Sequence, residues 1–296
     1  MDKFFVILMV LAALILLYIL WCFIEPFFLV RDKAVIKRSP KTSSGTDISI
    51  KKLPMISASP EAEPDIRLFF FSDIHAEWCP VTSKRICEAI RKANGDKPLD
   101  AVIFGGDIIT YPQNAAKGYK YINNISRFCN ESKIPFYGVT GNHDVRLSDF
   151  SRNAGFISLD NNIVPLTSRT SGKGANLIGI TDSGTRKCEW PPMPHQDGRD
   201  ASILVVHDPD SLIHIDPLSR PDFMLSGHLH GGQMKFPFKI EFRILRKKDK
   251  LPNMGAVQGV YDINGTTVFI SRGLGCGLMP FRFLSVPEVT VVEICL

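Results

Sequence analysis

The chain has 296 residues, 45% of them hydrophobic and 10% aromatic, enough to bury one substantial core without internal repeats or long low-complexity tracts. Its net charge is only +5, with most cations scattered along the chain, so composition gives no ground for a nucleic-acid partner. Seven irregularly spaced cysteines without a CxxC pair argue against a secreted disulfide framework and read as reduced thiols.

The first element in chain order is a run without formal charge over residues 4–24. At about 1.5 Å per residue it matches a hydrocarbon core of about 30 Å, and it is expected to be a transmembrane helix. A cleavable signal has a shorter apolar region of about 7–15 residues and a small-residue cleavage site. This run ends instead in Trp21-Cys22-Phe23-Ile24-Glu25-Pro26, so residues 1–30 read as an uncleaved anchor. Lys3 and Asp2 precede it, whereas Arg31, Lys33, Lys37 and Arg38 against Asp32 follow, which by the positive-inside rule places the remainder in the cytoplasm. Residues 31–64 are expected to be a membrane-proximal tether, rich in Ser, Thr, Lys, Pro and Glu from Pro40 onward. Across the join of anchor and tether, residues 27–38 either lie along anionic lipid or form a plain stop-transfer flank. The folded domain is expected over 65–296.

Five short apolar runs then end in potential metal ligands. Arg67-Leu68-Phe69-Phe70-Phe71-Ser72 leads to Asp73 and His75, Ala101-Val102-Ile103-Phe104 to Gly106-Asp107, and Pro135-Phe136-Tyr137-Gly138-Val139 to Gly141-Asn142-His143-Asp144. Ile203-Leu204-Val205-Val206 leads to His207, and Phe223-Met224-Leu225-Ser226 to Gly227-His228-Leu229-His230. Such runs read as buried strands, whose carboxyl ends are where α/β sheets bind ligands. Five of the seven histidines occupy these positions; His195 and His214 do not, and read as structural. Between the motifs, Thr82-Ser83 can cap a helix carrying Ile86, Ala89, Ile90 and Ala93 on one face. A second helix over 114–129 aligns Tyr119, Ile122, Ile125 and Phe128. Strand, motif and helix thus repeat in the α/β manner. Further strands are expected over 177–180, 267–270 and 289–292, in a second sheet packed on the first.

Taken in order, Asp73-Ile74-His75, Gly106-Asp107, Gly141-Asn142-His143-Asp144, His207 and Gly227-His228-Leu229-His230 resemble the signature of the calcineurin-like metallophosphoesterases, over essentially 65–296. The following Gly231-Gly232-Gln233 resembles the bacterial branch that contains membrane-associated phosphodiesterases and LpxG-type UDP-2,3-diacylglucosamine pyrophosphatases. The resemblance implies a four-layer α/β/β/α sandwich of two mixed sheets. It also implies two divalent ions, with manganese expected and iron or zinc able to use the same ligands. Asp73, His75 and His230 would hold one ion and Asn142, His207 and His228 the other, with Asp107 between them. His143 would serve the phosphoryl or leaving oxygen. Asp144 would either orient that imidazole or begin the following helix.

The chemistry suits these residues, because hydrolysing a phosphoester requires neutralising its anionic oxygens and supplying hydroxide at neutral pH, which two ions about 3.5–4 Å apart accomplish. The expected substrate is UDP-2,3-diacylglucosamine, cleaved to UMP and lipid X at the cytoplasmic face of a bacterial inner membrane. The alternatives are a phosphodiesterase or phosphatase for another lipid or protein substrate, and a metal-binding scaffold without catalysis. No partner protein is inferable. Residues 236–248 interleave apolar and basic side chains, as a loop beside a membrane or as a strand and solvated turn. Arg146 and Arg272 either reach a substrate phosphate or are surface or structural residues.

Overall fold

The computed structural model describes residues 3–41, 48–56, 63–181 and 201–296. His195, Cys188 and residues 42–45 of the Ser/Thr-rich stretch lie outside them. The six described cysteines are free thiols.

Helix α1 (Lys3–Ile24) is exposed along nearly its whole length, and by length and composition it can cross a membrane, a test that signal sequences also pass. Strands β3 (Ile66–Phe71), β4 (Ala101–Phe104) and β5 (Phe136–Gly138) are parallel neighbours, and every residue in them is buried. Burial on both faces is why they read as unbroken apolar runs. Helix α2 (Ser83–Asp96) starts where Thr82 accepts the Arg85 N–H, and it buries Ile86, Ala89, Ile90 and Ala93 as predicted. Helix α3 (Ala115–Glu131) buries Ile122, Ile125 and Cys129 and half-buries Tyr119 and Phe128. With the short α4 (Phe150–Ala154), they cover the outer face of the sheet over Phe69, Phe71 and Phe104.

This sheet is completed by β1 (Val30–Lys37), β6 (Ile157–Ser158) and β13 (Glu288–Cys295), in the order β1-β13-β3-β4-β5-β6. The second sheet comprises β2 (Ile50–Leu53), β7 (Asn162–Thr167), β8 (Gly174–Gly179), β9 (Ala201–Val205), β10 (Phe223–Ser226), β11 (Gly259–Ile263) and β12 (Thr266–Ile270). Its order is β2-β11-β12-β10-β9-β8-β7, and both sheets mix parallel with antiparallel pairs. They face each other across Leu68, Phe70 and Ile103 on one side and Ile203, Leu225 and Phe269 on the other. The outer layer on the second sheet is thin. It consists of a 3-10 turn at Pro209–His214 and the short α5 (Ile240–Leu245) and α6 (Lys250–Asn253), which seat Leu212, Phe242 and Leu251 on the sheet. His214 at the end of that turn is exposed.

The stretch 31–64, expected as a tether, instead contributes a strand to each sheet. β1 pairs in parallel with β13 from Val30↔Glu288 to Lys37↔Cys295, and β2 pairs antiparallel with β11. The folded domain therefore begins at Val30 and not near Asp65. β1 was disguised by its edge position, which leaves Arg31, Lys33 and Lys37 in solvent while Ala34, Val35 and Ile36 are buried. Residues 236–248 hold no strand; a 3-10 turn leads into α5, which turns Glu241 and Phe242 inward.

The carboxyl end of α1 is built into the domain. Glu25 is 1% exposed, takes the Trp21 indole N–H at 2.8 Å, and accepts the backbone N–H groups of Leu284 at 2.8 Å and Ser285 at 2.6 Å.

Candidate metal centre

All five motifs follow the carboxyl ends of their strands and meet where the two sheets adjoin. Their backbones are strained: Asp73, His75, Asp107, His228 and His230 have φ of +53°, +39°, +66°, +69° and +50°. Side chains rarely adopt this region, and its concentration on candidate ligands is the pattern of a functional site. Gly106, at φ +95°, lets the chain pass under His207, whose Nδ1 would lie 2.7 Å from an added Cβ. At Gly141 a Cβ would fall on the Asp107 carboxylate.

The side chains form two overlapping donor groups, Asp73 with His75 and His230, and Asp73 with Asp107 and His207, all buried. His75 Nδ1 donates to Thr110 Oγ1 at 3.0 Å and His230 Nδ1 to the Gly275 carbonyl at 3.3 Å. In that state their Nε2 lone pairs face each other at 3.2 Å, with Asp73 Oδ1 3.5 Å from His230 Nε2. His207 Nδ1 donates to the Gly105 carbonyl at 2.7 Å and turns Nε2 toward Asp107 Oδ2 at 3.1 Å. Lone pairs crowded against carboxylate oxygens repel, and divalent cations relieve that repulsion. Asn142 Oδ1 is buried and has no hydrogen-bond partner among the described residues, which a cation would satisfy. The His228 ring lies 4.9 Å from that of His207. Asp73, His75, Asp107, His207 and His230 therefore fit divalent ions in donor chemistry and in placement.

Burial pushes the imidazoles of His75, His228 and His230 below their usual range, with the Arg246 cation adding to the effect on His228, and His75 and Arg282 on His230. Burial would raise Asp107, but His207, His75 and His143, when protonated, outweigh it and hold the carboxyl well below the usual range. An imidazole lowered by folding contributes stability that is complete above its unfolded value of about 6.5 and is lost as pH falls through it. Asp144 runs the other way, raised by burial and by Asp107. In the EDTA-treated protein the imidazoles of His75, His228 and His230 are expected to titrate below those of the denatured chain, as read from their ring-carbon chemical shifts. Titration at or above the denatured value would contradict neutral buried imidazoles.

His143 sits beside the ligands. Its ring is 5.3 Å from that of His75, its Nδ1 donates to the Thr110 carbonyl at 2.9 Å, and its backbone N–H donates to Asp107 Oδ1 at 2.9 Å. Asp144 neither orients that imidazole nor merely opens a helix. It is fully buried, and accepts the backbone N–H groups of Asp107 at 2.6 Å, Ile108 at 2.9 Å and Gly141 at 3.1 Å, tying two motif loops together. Arg272 does not reach toward substrate, because Glu288 at 2.5 Å and Asp32 at 2.8 Å occupy its guanidinium. Arg146 is exposed on the turn Asp144–Arg146.

Two arginines were missed. Arg246 places Nη1 2.7 Å from His228 Nε2 and donates from Nη2 to the His228 carbonyl at 3.0 Å. Arg282 is fully buried; it donates to the carbonyls of Arg272, Ser285 and Gly275 and lies 3.3 Å from His230 Nδ1. The available signal for Arg282 was a lone cation between aromatics in Phe281-Arg282-Phe283.

Comparison with known proteins agrees with this geometry. The calcineurin-like phosphoesterase family matches residues 66–232. The uncharacterized metallophosphoesterase YkoQ of Bacillus subtilis (strain 168) is 28% identical over 241 residues, covering 79% of this chain and 85% of that protein. The phosphodiesterase YaeI of Escherichia coli (strain K12) is 25% identical over 245 residues, covering 77% and 82%. With the motif order, the buried donor groups and the family match in agreement, the chain belongs to the calcineurin-like phosphoesterases and is a metal-dependent phosphoester hydrolase.

Proposed function

We propose that this protein is a membrane-anchored, two-metal phosphodiesterase acting on a lipid-linked phosphodiester or pyrophosphate. Asp73, His75 and His230 would hold one ion and Asn142, His207 and His228 the other, with Asp107 shared by both. The carrying observation is that Asp107 Oδ2 is 3.1 Å from His207 Nε2 and 3.6 Å from His75 Nε2, a ligand from each set. When bound, the ions neutralise phosphoryl charge and supply hydroxide at neutral pH. His143, held through Nδ1 on the Thr110 carbonyl, keeps Nε2 for the phosphoryl or leaving oxygen. Manganese is the expected metal. The complete ligand set counts against a scaffold without catalysis.

A retained anchor is supported by Glu25, whose carboxylate would be lost or unseated from Leu284 and Ser285 if α1 were removed by cleavage beyond it. The cations after α1 favour a cytoplasmic domain on a bacterial inner membrane. UDP-2,3-diacylglucosamine is nominated by the resemblance of 227–233. It is tested by UMP release from full-length protein with Mn²⁺, with EDTA, and with Asp107→Asn as the blank. Metal-dependent release that is lost in the variant is expected. Cleavage of an aryl phosphodiester without UMP release would keep the chemistry and discard this substrate.

A further inference from the structure

We infer that the segments 277–284 and 236–244 form a collar that docks into the bilayer interface and holds the metal centre against the headgroups, an inference that rests on reading α1 as a retained anchor. Strand direction is the first support. β1 leaves the end of α1 and runs parallel to β13, which is antiparallel to β3 and hence to β4 and β5. The carboxyl ends of β3, β4 and β5, which carry the metal motifs, therefore lie on the edge from which α1 departs.

The second support comes from using α1 as a ruler. Tyr18 precedes Ile24 by six residues, about 9 Å along the helix axis. The 277–284 segment climbs that far: the Phe281 ring meets Phe23 at 5.6 Å, the Arg282 N–H donates to the Cys22 carbonyl at 3.0 Å, and the Phe283 ring meets Tyr18 at 4.7 Å. A segment beside the last two turns of a spanning helix shares their depth. Its outward side chains suit that depth, with Leu278 69%, Met279 54% and Leu284 58% exposed.

The second segment adjoins the first. The Phe283 N–H donates to the Gln233 carbonyl at 2.8 Å, and the Lys235 N–H to the Phe283 carbonyl at 3.1 Å. Phe238, 81% exposed, and Ile244, 62% exposed, extend the apolar surface. Exposed Lys239, Arg243, Lys247 and Lys248 run among and beyond them, the mixture that suits an anionic leaflet. Apolar exposure clustered beside a spanning helix marks an interaction surface, and its cations favour lipid as the occupant.

The collar is also fastened to the ligands. Gln233 donates from Nε2 to the carbonyls of Met279 and Phe281 at 3.1 Å each, and its Oε1 accepts the Gly277 N–H at 2.8 Å. The Gly277 carbonyl accepts from Thr110 Oγ1 at 2.7 Å, the hydroxyl that holds His75. Ser285 Oγ donates to the His230 carbonyl at 2.6 Å. Gln233 thus ties the collar to the loops that carry the candidate ligands, so a lipid-borne phosphate can be met without leaving the bilayer.

The test places one added tryptophan at Leu278→Trp, Phe238→Trp or Leu218→Trp in full-length protein. Leu218 is 88% exposed and precedes the amino end of β10, on the opposite edge. Each protein is reconstituted in phosphatidylcholine and phosphatidylglycerol vesicles with or without brominated acyl chains, and the parental fluorescence is subtracted. At least twofold quenching at 278 and 238, with none at 218, is expected; Met279→Trp substitutes if Leu278→Trp does not fold. If the protein floats with the vesicles while 278 and 238 resemble 218, the collar is overturned and the anchor stands. That result with concentration-dependent shielding would assign the surface to a second copy. Failure to float overturns the anchor and the collar together. Turnover is not read, so the outcome is independent of the substrate assignment.

Discussion

Asp107→Asn should lower kcat by about 10³-fold and reduce the bound metal, as measured on an aryl phosphodiester and by elemental analysis of dialysed protein. The carboxylate is 2% exposed and faces His207 and His75 through one oxygen while the other receives the His143 N–H. An amide oxygen can still accept that N–H, so the loop keeps its shape while the charge that binds two cations is gone. His143→Ala provides the contrast. It should cost about 10²- to 10⁴-fold in kcat with metal content intact, because its imidazole serves the reaction and not the ions. Equal metal content in wild type and Asp107→Asn would remove Asp107 from its place between the ions.

Arg282→Met should destabilise the detergent-solubilised protein by about 3–5 kcal/mol, lowering Tm by about 10 °C. The guanidinium serves the carbonyls of Arg272, Ser285 and Gly275 inside the domain, and methionine fills the space while leaving these acceptors unpaired. Arg282→Lys should recover little, since an ammonium cannot span the same fork of acceptors. A Tm within about 2 °C of wild type would show that water replaces the guanidinium at little cost.

The convergence of Asp73, His75, Asp107, His207 and His230 was legible because each follows a buried strand, where local sequence and tertiary position carry the same signal. The two central helices were legible for the same reason, through the stripes ending in Ala93 and Phe128. β1 and β2 were hidden because edge strands keep charged residues, and their partners β13 and β11 lie more than 200 positions away. Asp144 was misread because a side chain that bonds to distant backbone N–H groups leaves no trace in spacing. Arg272 was left open between substrate and structure because its carboxylate partners come from positions 32 and 288. In each case the sequence offered one partner of the bond, and only the fold names the other.

The pairing of β1 with β13 also sets an order of events during synthesis. α1 and β1 emerge first, yet the strand that β1 needs is Glu288–Cys295, about 250 residues later. At about 5–20 residues per second the ribosome needs roughly 13–50 s to deliver it. Throughout that interval β1 has no native neighbour beyond the single bridge from Val35 to Ile56, and the loop that receives Glu25 does not yet exist. Closure of this first sheet is therefore a late, long-range step, of the kind that slows folding and leaves apolar surface exposed. A helix threaded into the bilayer during the wait would hold one end of the nascent chain apart from other unfinished copies.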